Sequence, residues 1–119
     1  MKEFFGKSYT GEDTYLYTIS CGKITAVVSD YGATLVKLFV PDKDGNVADV
    51  VLGHESPEDY RKCALFFGAT VGRSGNRIAG SSFELNGKTW QLTPNENSHN
   101  LHSGPEFYHD RLWQVLSHT

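Results

Sequence analysis

Ser82-Phe83-Glu84-Leu85-Asn86-Gly87-Lys88-Thr89-Trp90-Gln91-Leu92 decides the fold class of this 119-residue chain. Two alternating runs flank Asn86-Gly87. That pair accepts the left-handed backbone needed at both central positions of a two-residue hairpin turn. The period of two puts Phe83, Leu85, Trp90 and Leu92 on the packed side. The segment predicts an antiparallel hairpin, and the same pattern extends outward along the chain.

Upstream, Thr14-Tyr15-Leu16-Tyr17-Thr18-Ile19 is rich in aromatic and β-branched residues. Cys21-Gly22 connects it tightly to Lys23-Ile24-Thr25-Ala26-Val27-Val28, which predicts a second hairpin. Tyr31-Gly32 turns the chain into a strand over 33–40. Thr34, Val36, Leu38 and Val40 share one face of it, and Leu35, Lys37 and Phe39 the other. Both faces are largely apolar, so cover on both sides is expected. Pro41-Asp42-Lys43-Asp44-Gly45-Asn46 is a polar turn, and 48–52 reads as a short strand. Ser56-Pro57-Glu58-Asp59-Tyr60 begins a helix of one or two turns. Ser56 serves as cap, Pro57 suits the first helical position, and Asp59 lies three residues after the cap. Residues 65–71 are apolar and read as strand. Downstream of the central hairpin, 93–108 is a long polar loop, a length usually tied to function or disorder. Residues 112–116 begin a further strand. The fold class is all-β and antiparallel, with one short helix.

Composition narrows the function. A hydrophobic content of 39% and an aromatic content of 13% suit a packed domain and argue against disorder. A formal charge of −3 gives no basic footprint for nucleic acid. No apolar run is long enough to span a membrane. Met1-Lys2-Glu3-Phe4-Phe5-Gly6-Lys7 lacks the apolar core of a signal peptide. Cys21 and Cys63 make no disulfide framework and are read as free thiols in a cytoplasmic protein.

The chemistry gathers in Gly72-Arg73-Ser74-Gly75-Asn76-Arg77-Ile78-Ala79-Gly80 and Asn100-Leu101-His102-Ser103-Gly104. A phosphate-loop reading of the glycines fails, because no Gly-Lys-Ser/Thr ending is present and a hairpin follows where a helix is needed. The glycines instead allow a bend or bulge. Arg77 is either a structural cation paired with a carboxylate, or a fixed fork donating beside Asn76 to sugar hydroxyls or a ring oxygen. His99, His102 and His109 raise metal binding, but Glu96, Glu106 or Asp110 would have to complete the ligand set in a loop. No metal site is expected. His102, between Leu101 and Ser103-Gly104, is placed to aim an imidazole into a cleft, and histidine moves protons near neutral pH. Trp90 and Trp113 lie in strand patterns and are expected in the core. Phe107 and Tyr108 are weaker candidates for sugar stacking.

Together these residues resemble the aldose 1-epimerases (galactose mutarotases). The resemblance rests on Gly72 to Gly80, Phe83-x-Leu85-Asn86-Gly87, Leu92-x-x-Asn95, Leu101-His102-Ser103-Gly104 and Trp113. Upstream it includes Ser29-Asp30-Tyr31-Gly32-Ala33-Thr34-Leu35, Pro41-Asp42, Asp49-Val50-Val51-Leu52-Gly53 and Tyr60. It implies an antiparallel β-sandwich of the galactose mutarotase-like type. Residues 1–119 would be the N-terminal portion of one such domain, well under half of it.

The implied activity is interconversion of α and β anomers of free aldohexoses without cofactor. In the family a glutamate takes the C1 hydroxyl proton and a histidine protonates the ring oxygen. By position Asn76 and Arg77 match the sugar-contacting pair, and His102 matches the first of two active-site histidines. Ser103 stands where glycine is usual, and Gly75 where alanine is common. The second histidine, a sugar-binding aspartate and the base glutamate match nothing here, and Glu84, Glu96 and Glu106 are not their positional equivalents. The isolated chain is therefore expected to be inactive. The alternative is a non-catalytic carbohydrate-binding module of the same fold. Open sheet edges lead to the further expectation of self-association or a completing chain.

Overall fold

The computed structural model describes residues 1–119. They form two compact units, Met1–Thr70 with His109–Thr119, and Val71–Tyr108.

The first unit is built on a five-stranded antiparallel meander. Its strands are β1 (Lys2–Lys7), β2 (Asp13–Cys21), β3 (Ile24–Ser29), β4 (Thr34–Pro41) and β5 (Val47–Asp49), in that order across the sheet. The predicted hairpin is β2–β3, paired from Leu16 with Ser29 to Cys21 with Ile24. Its turn is Gly22-Lys23. In β4 the predicted face is real where it is deepest, with Thr34 and Val36 buried. The opposite face is only half-buried at Leu35, Lys37 and Phe39, so cover on both sides is partial. Tyr31, 2% exposed, anchors the small core with Val27 and Val36.

Strand β1 was not anticipated, because its charged ends hide the pattern. It pairs with β2 through a bulge between Phe4 and Gly6. The Phe4 ring meets Tyr15 edge-on at 6.1 Å, and Phe5 lies 6.2 Å from Tyr60 of helix α1 (Pro57–Lys62). Helix α1 starts as predicted. The Ser56 hydroxyl accepts the Asp59 N–H at 3.2 Å and donates to the Asp59 carboxylate at 2.7 Å.

Three strand expectations need correction. Residues 65–71 form turns, because Phe66 and Gly68 both take left-handed backbone, with φ of 56° and 58°. A Cβ at Gly68 would lie 2.0 Å from the Leu35 carbonyl oxygen, so the chain passes too close for any side chain there. The Leu35 N–H donates to Gly68 O at 2.9 Å, one contact in place of a ladder. Residues 112–116 make a single bridge, Leu112 with Tyr31, and a Trp113 N–H bond to Asp30 O at 2.8 Å. Residues 48–52 contribute to β5 only through Ala48 and Asp49.

The second unit holds β6 (Arg77–Ile78), β7 (Ser82–Leu85), β8 (Lys88–Gln91) and β9 (Asn100–Leu101), with a 3-10 turn at Ala79–Ser81. Strands β7 and β8 form the predicted hairpin, with Phe83 opposite Trp90 and φ of 53° and 71° at Asn86 and Gly87. Its apolar side is not packed. Phe83, Leu85 and Trp90 are 39%, 55% and 44% exposed. Trp113 in the first unit is 39% exposed, so neither tryptophan is a core residue. Alternation places side chains on one face, but burial requires something on top of that face.

Candidate functional site

Strand β6 pairs with β9, Arg77 opposite Leu101 and Ile78 opposite Asn100. This two-rung ladder brings the two chemistry-bearing segments together. Just beyond it, the His102 N–H donates to Asn76 O at 2.9 Å, and the Asn76 N–H donates to His102 Nδ1 at 2.9 Å. One position further out, the Ser74 N–H donates to Ser103 Oγ at 2.9 Å, and that hydroxyl donates to Ser74 O at 3.0 Å. Asn76, His102 and Ser103 all have positive φ, 60°, 52° and 60°. Such backbone costs on the order of 1–3 kcal/mol at a non-glycine residue and persists where surrounding bonds over-determine it. The reciprocal bonds supply that constraint.

The loop of 93–108 is ordered around two asparagines. The Asn95 side chain brackets Leu101, accepting its N–H at 2.6 Å and donating to its carbonyl at 2.9 Å. The buried Asn100 donates to Thr93 O at 2.8 Å and Gly104 O at 2.9 Å. A Cβ at Gly104 would lie 2.2 Å from Asn95 Nδ2 and 2.6 Å from the Phe107 ring, so glycine is required. Tyr108 covers Gly72 in the same way, with ring carbon Cδ2 3.1 Å from where a Cβ would sit. Both rings seal backbone.

Arg77 has a carboxylate partner, Glu96. Its Nε donates to Oε2 and its Nη2 to Oε1 at 2.8 Å, while Nη1 donates to Asn76 Oδ1 at 3.1 Å. The Arg77 hydrogen bond holds the Glu96 carboxyl below the ordinary glutamate range, and Glu96 in turn raises the guanidinium. Three of the five guanidinium N–H groups are engaged, which leaves two for a ligand. The two sequence readings of Arg77 are therefore compatible. Its ion pair fixes the plane of the fork and leaves part of it available.

The structure brings Asn76, Arg77 and His102 together, and His99 lies nearby with Nδ1 accepting the Gly80 N–H at 3.1 Å. His109 belongs to the other unit. A cavity of about 400 Å³ includes Ser74, Ser103 and Asn100 in its lining but not Arg77 or His102. The corner offers donors and no unengaged carboxylate, an inventory suited to binding an oxygen-rich ligand. Sequence reasoning missed Glu96 as the partner of Arg77. It also missed the Asn95 bracket, although Leu92-x-x-Asn95 is one of the resembling motifs.

Fold and site together define an antiparallel β protein of the galactose mutarotase-like type. The family model for aldose 1-epimerase matches residues 15–119, and the chain belongs to that family. It is 42% identical over 108 residues to a probable aldose 1-epimerase of Arthroderma benhamiae, covering 86% of this chain and 24% of that protein. It is 40% identical over 94 residues to the aldose 1-epimerase of Escherichia coli K12, covering 79% of this chain and 27% of that protein. An aldose epimerase homologue from C. elegans superposes with a TM-score of 0.80 at 39% identity, covering 89% of this chain and 33% of that one. The galactose 1-epimerase of Lactobacillus acidophilus gives 0.75 at 27% identity, covering 95% and 32%. The chain thus spans about a quarter of the length of these two curated relatives and about a third of the solved structures. No helix is long and apolar enough to cross a membrane.

Proposed function

We propose that this chain carries the Asn–Arg–His portion of an aldose 1-epimerase site, acting on free aldohexoses in the cytoplasm without cofactor. Asn76 and Arg77 hold sugar oxygens, and His102 faces the oxygen that gains hydrogen when the ring opens. The observation that carries this reading is the convergence of the three residues on one strained, hydrogen-bonded corner of a family fold. Residues 1–119 are one portion of a single domain.

The chain's own chemistry is one-sided. Anomer exchange needs a base at the C1 hydroxyl as well as a donor at the ring oxygen. The carboxylate of this corner, Glu96, is held by Arg77 with its basicity lowered. Binding without turnover follows for the purified chain. Polarimetry of fresh α-glucose or α-galactose is expected to match buffer, and turnover well above buffer overturns the missing base. Calorimetric titration with the same sugars is expected to show weak, millimolar binding that Arg77→Ala abolishes. No heat at high millimolar sugar overturns the assignment of Asn76, Arg77 and His102 as contacts.

A further inference from the structure

The Asn76 amide meets His102 at the ring nitrogen whose state decides what the histidine can do. A backbone N–H is always a donor. The Nδ1 atom 2.9 Å from it therefore presents a lone pair, and the hydrogen of the neutral ring sits on Nε2. We propose that the Asn76 backbone amide holds His102 as the neutral Nε2–H tautomer, so that His102 serves the sugar as a hydrogen-bond donor that keeps its proton. This deepens the proposed function and rests on it only for the identity of the ligand.

The ring cannot easily escape the contact. Asn76 and His102 are joined a second time by the His102 N–H to Asn76 O, next to the β6–β9 ladder. A hydrogen on Nδ1 would point at the Asn76 N–H and cost that bond. Glu96 feels the charge of both His102 and His99, and Arg77 holds that carboxylate. Glu96, the carboxylate that would favour a charged imidazole, is already neutralised by Arg77. His99 repeats the device, with Nδ1 on the Gly80 N–H.

The chemical consequence is specific. With Nδ1 occupied by the Asn76 N–H, the neutral ring can release its Nε2 hydrogen only by becoming an anion. It therefore polarises an oxygen through a hydrogen bond, as neutral imidazoles do elsewhere in sugar-phosphate chemistry. The proton taken up by the ring oxygen then comes from water, which can pass on the proton that the C1 hydroxyl gives up. In mechanism His102 is an electrophilic donor, and in structure Asn76 is its positioning residue.

Long-range proton–nitrogen NMR of the ¹⁵N-labelled full chain at mildly alkaline pH tests this. His102→Asn identifies the ring signals by their loss. Should that variant unfold, His99→Asn and the remaining three histidines identify them by elimination. An acceptor-type Nδ1 and a protonated Nε2 are expected for His102, unchanged in Asn76→Gly, which retains the amide. A protonated Nδ1 overturns the proposal. Galactose is then added. A shift confined to the Nε2 side is the expected result. If the tautomer is as stated and no ring signal moves at high millimolar galactose, the tautomer stands and the sugar reading of the site falls.

Discussion

Glu96 and Asp30 are carboxyls displaced in opposite directions, and their effects on stability oppose each other. The Arg77 hydrogen bond lowers Glu96, so folding gains from that pair above the unfolded-state value and loses the gain as pH falls through the folded one. Asp30 is 8% exposed and its carboxyl is raised, chiefly by burial, against the pull of the Tyr15 N–H bond at 2.8 Å. Its charge therefore opposes folding at neutral pH, and the opposition fades as pH falls through the raised value. Asp30→Asn keeps an oxygen for Tyr15 and removes the charge. Urea melts should show the variant more stable than wild type at pH 7, with the difference closing under acid conditions. A carbon-detected titration should place Glu96 below the usual glutamate range and move it upward in Arg77→Ala. Asn76, Arg77 and His102 were legible as a motif because they are close in sequence or flanked by distinctive neighbours. The partnership of Arg77 with Glu96 was not, since it depends on how an irregular loop brings residues 77 and 96 together.

At the scale of elements, local chemistry was legible and non-local chemistry was not. Asn86-Gly87 and Ser56-Pro57 specify their structures within a few residues, and both formed as expected. Residues 65–71 carry the composition of a strand but turn at Phe66 and Gly68, where the chain passes close against the distant Leu35. Two variants weigh these effects. Ser56→Ala removes the cap of α1 and should cost about 1 kcal/mol in denaturant melts. Gly68→Ala sets a methyl group 2.0 Å from Leu35 O on left-handed backbone, so its loss should exceed that of the cap. Equal losses would mean that the Gly68 turn yields more readily than its geometry implies.

Across the molecule, the amount of apolar surface outside either core is high. Leu52, Leu65, Leu85 and Leu116 are exposed, and β1 and β5 are open edges of the five-stranded sheet. Such edges recruit further strands unless they are blunted. Self-association or capture of a completing chain is the expected behaviour, and light scattering that finds a monodisperse monomer across concentration overturns it. The half-exposed indoles offer a way to watch the process. Trp90 belongs to one compact unit and Trp113 to the other. Each is a native optical probe at a half-exposed surface. Their emission should shift to the blue as concentration rises, and single Trp→Phe replacements would report which unit is covered first.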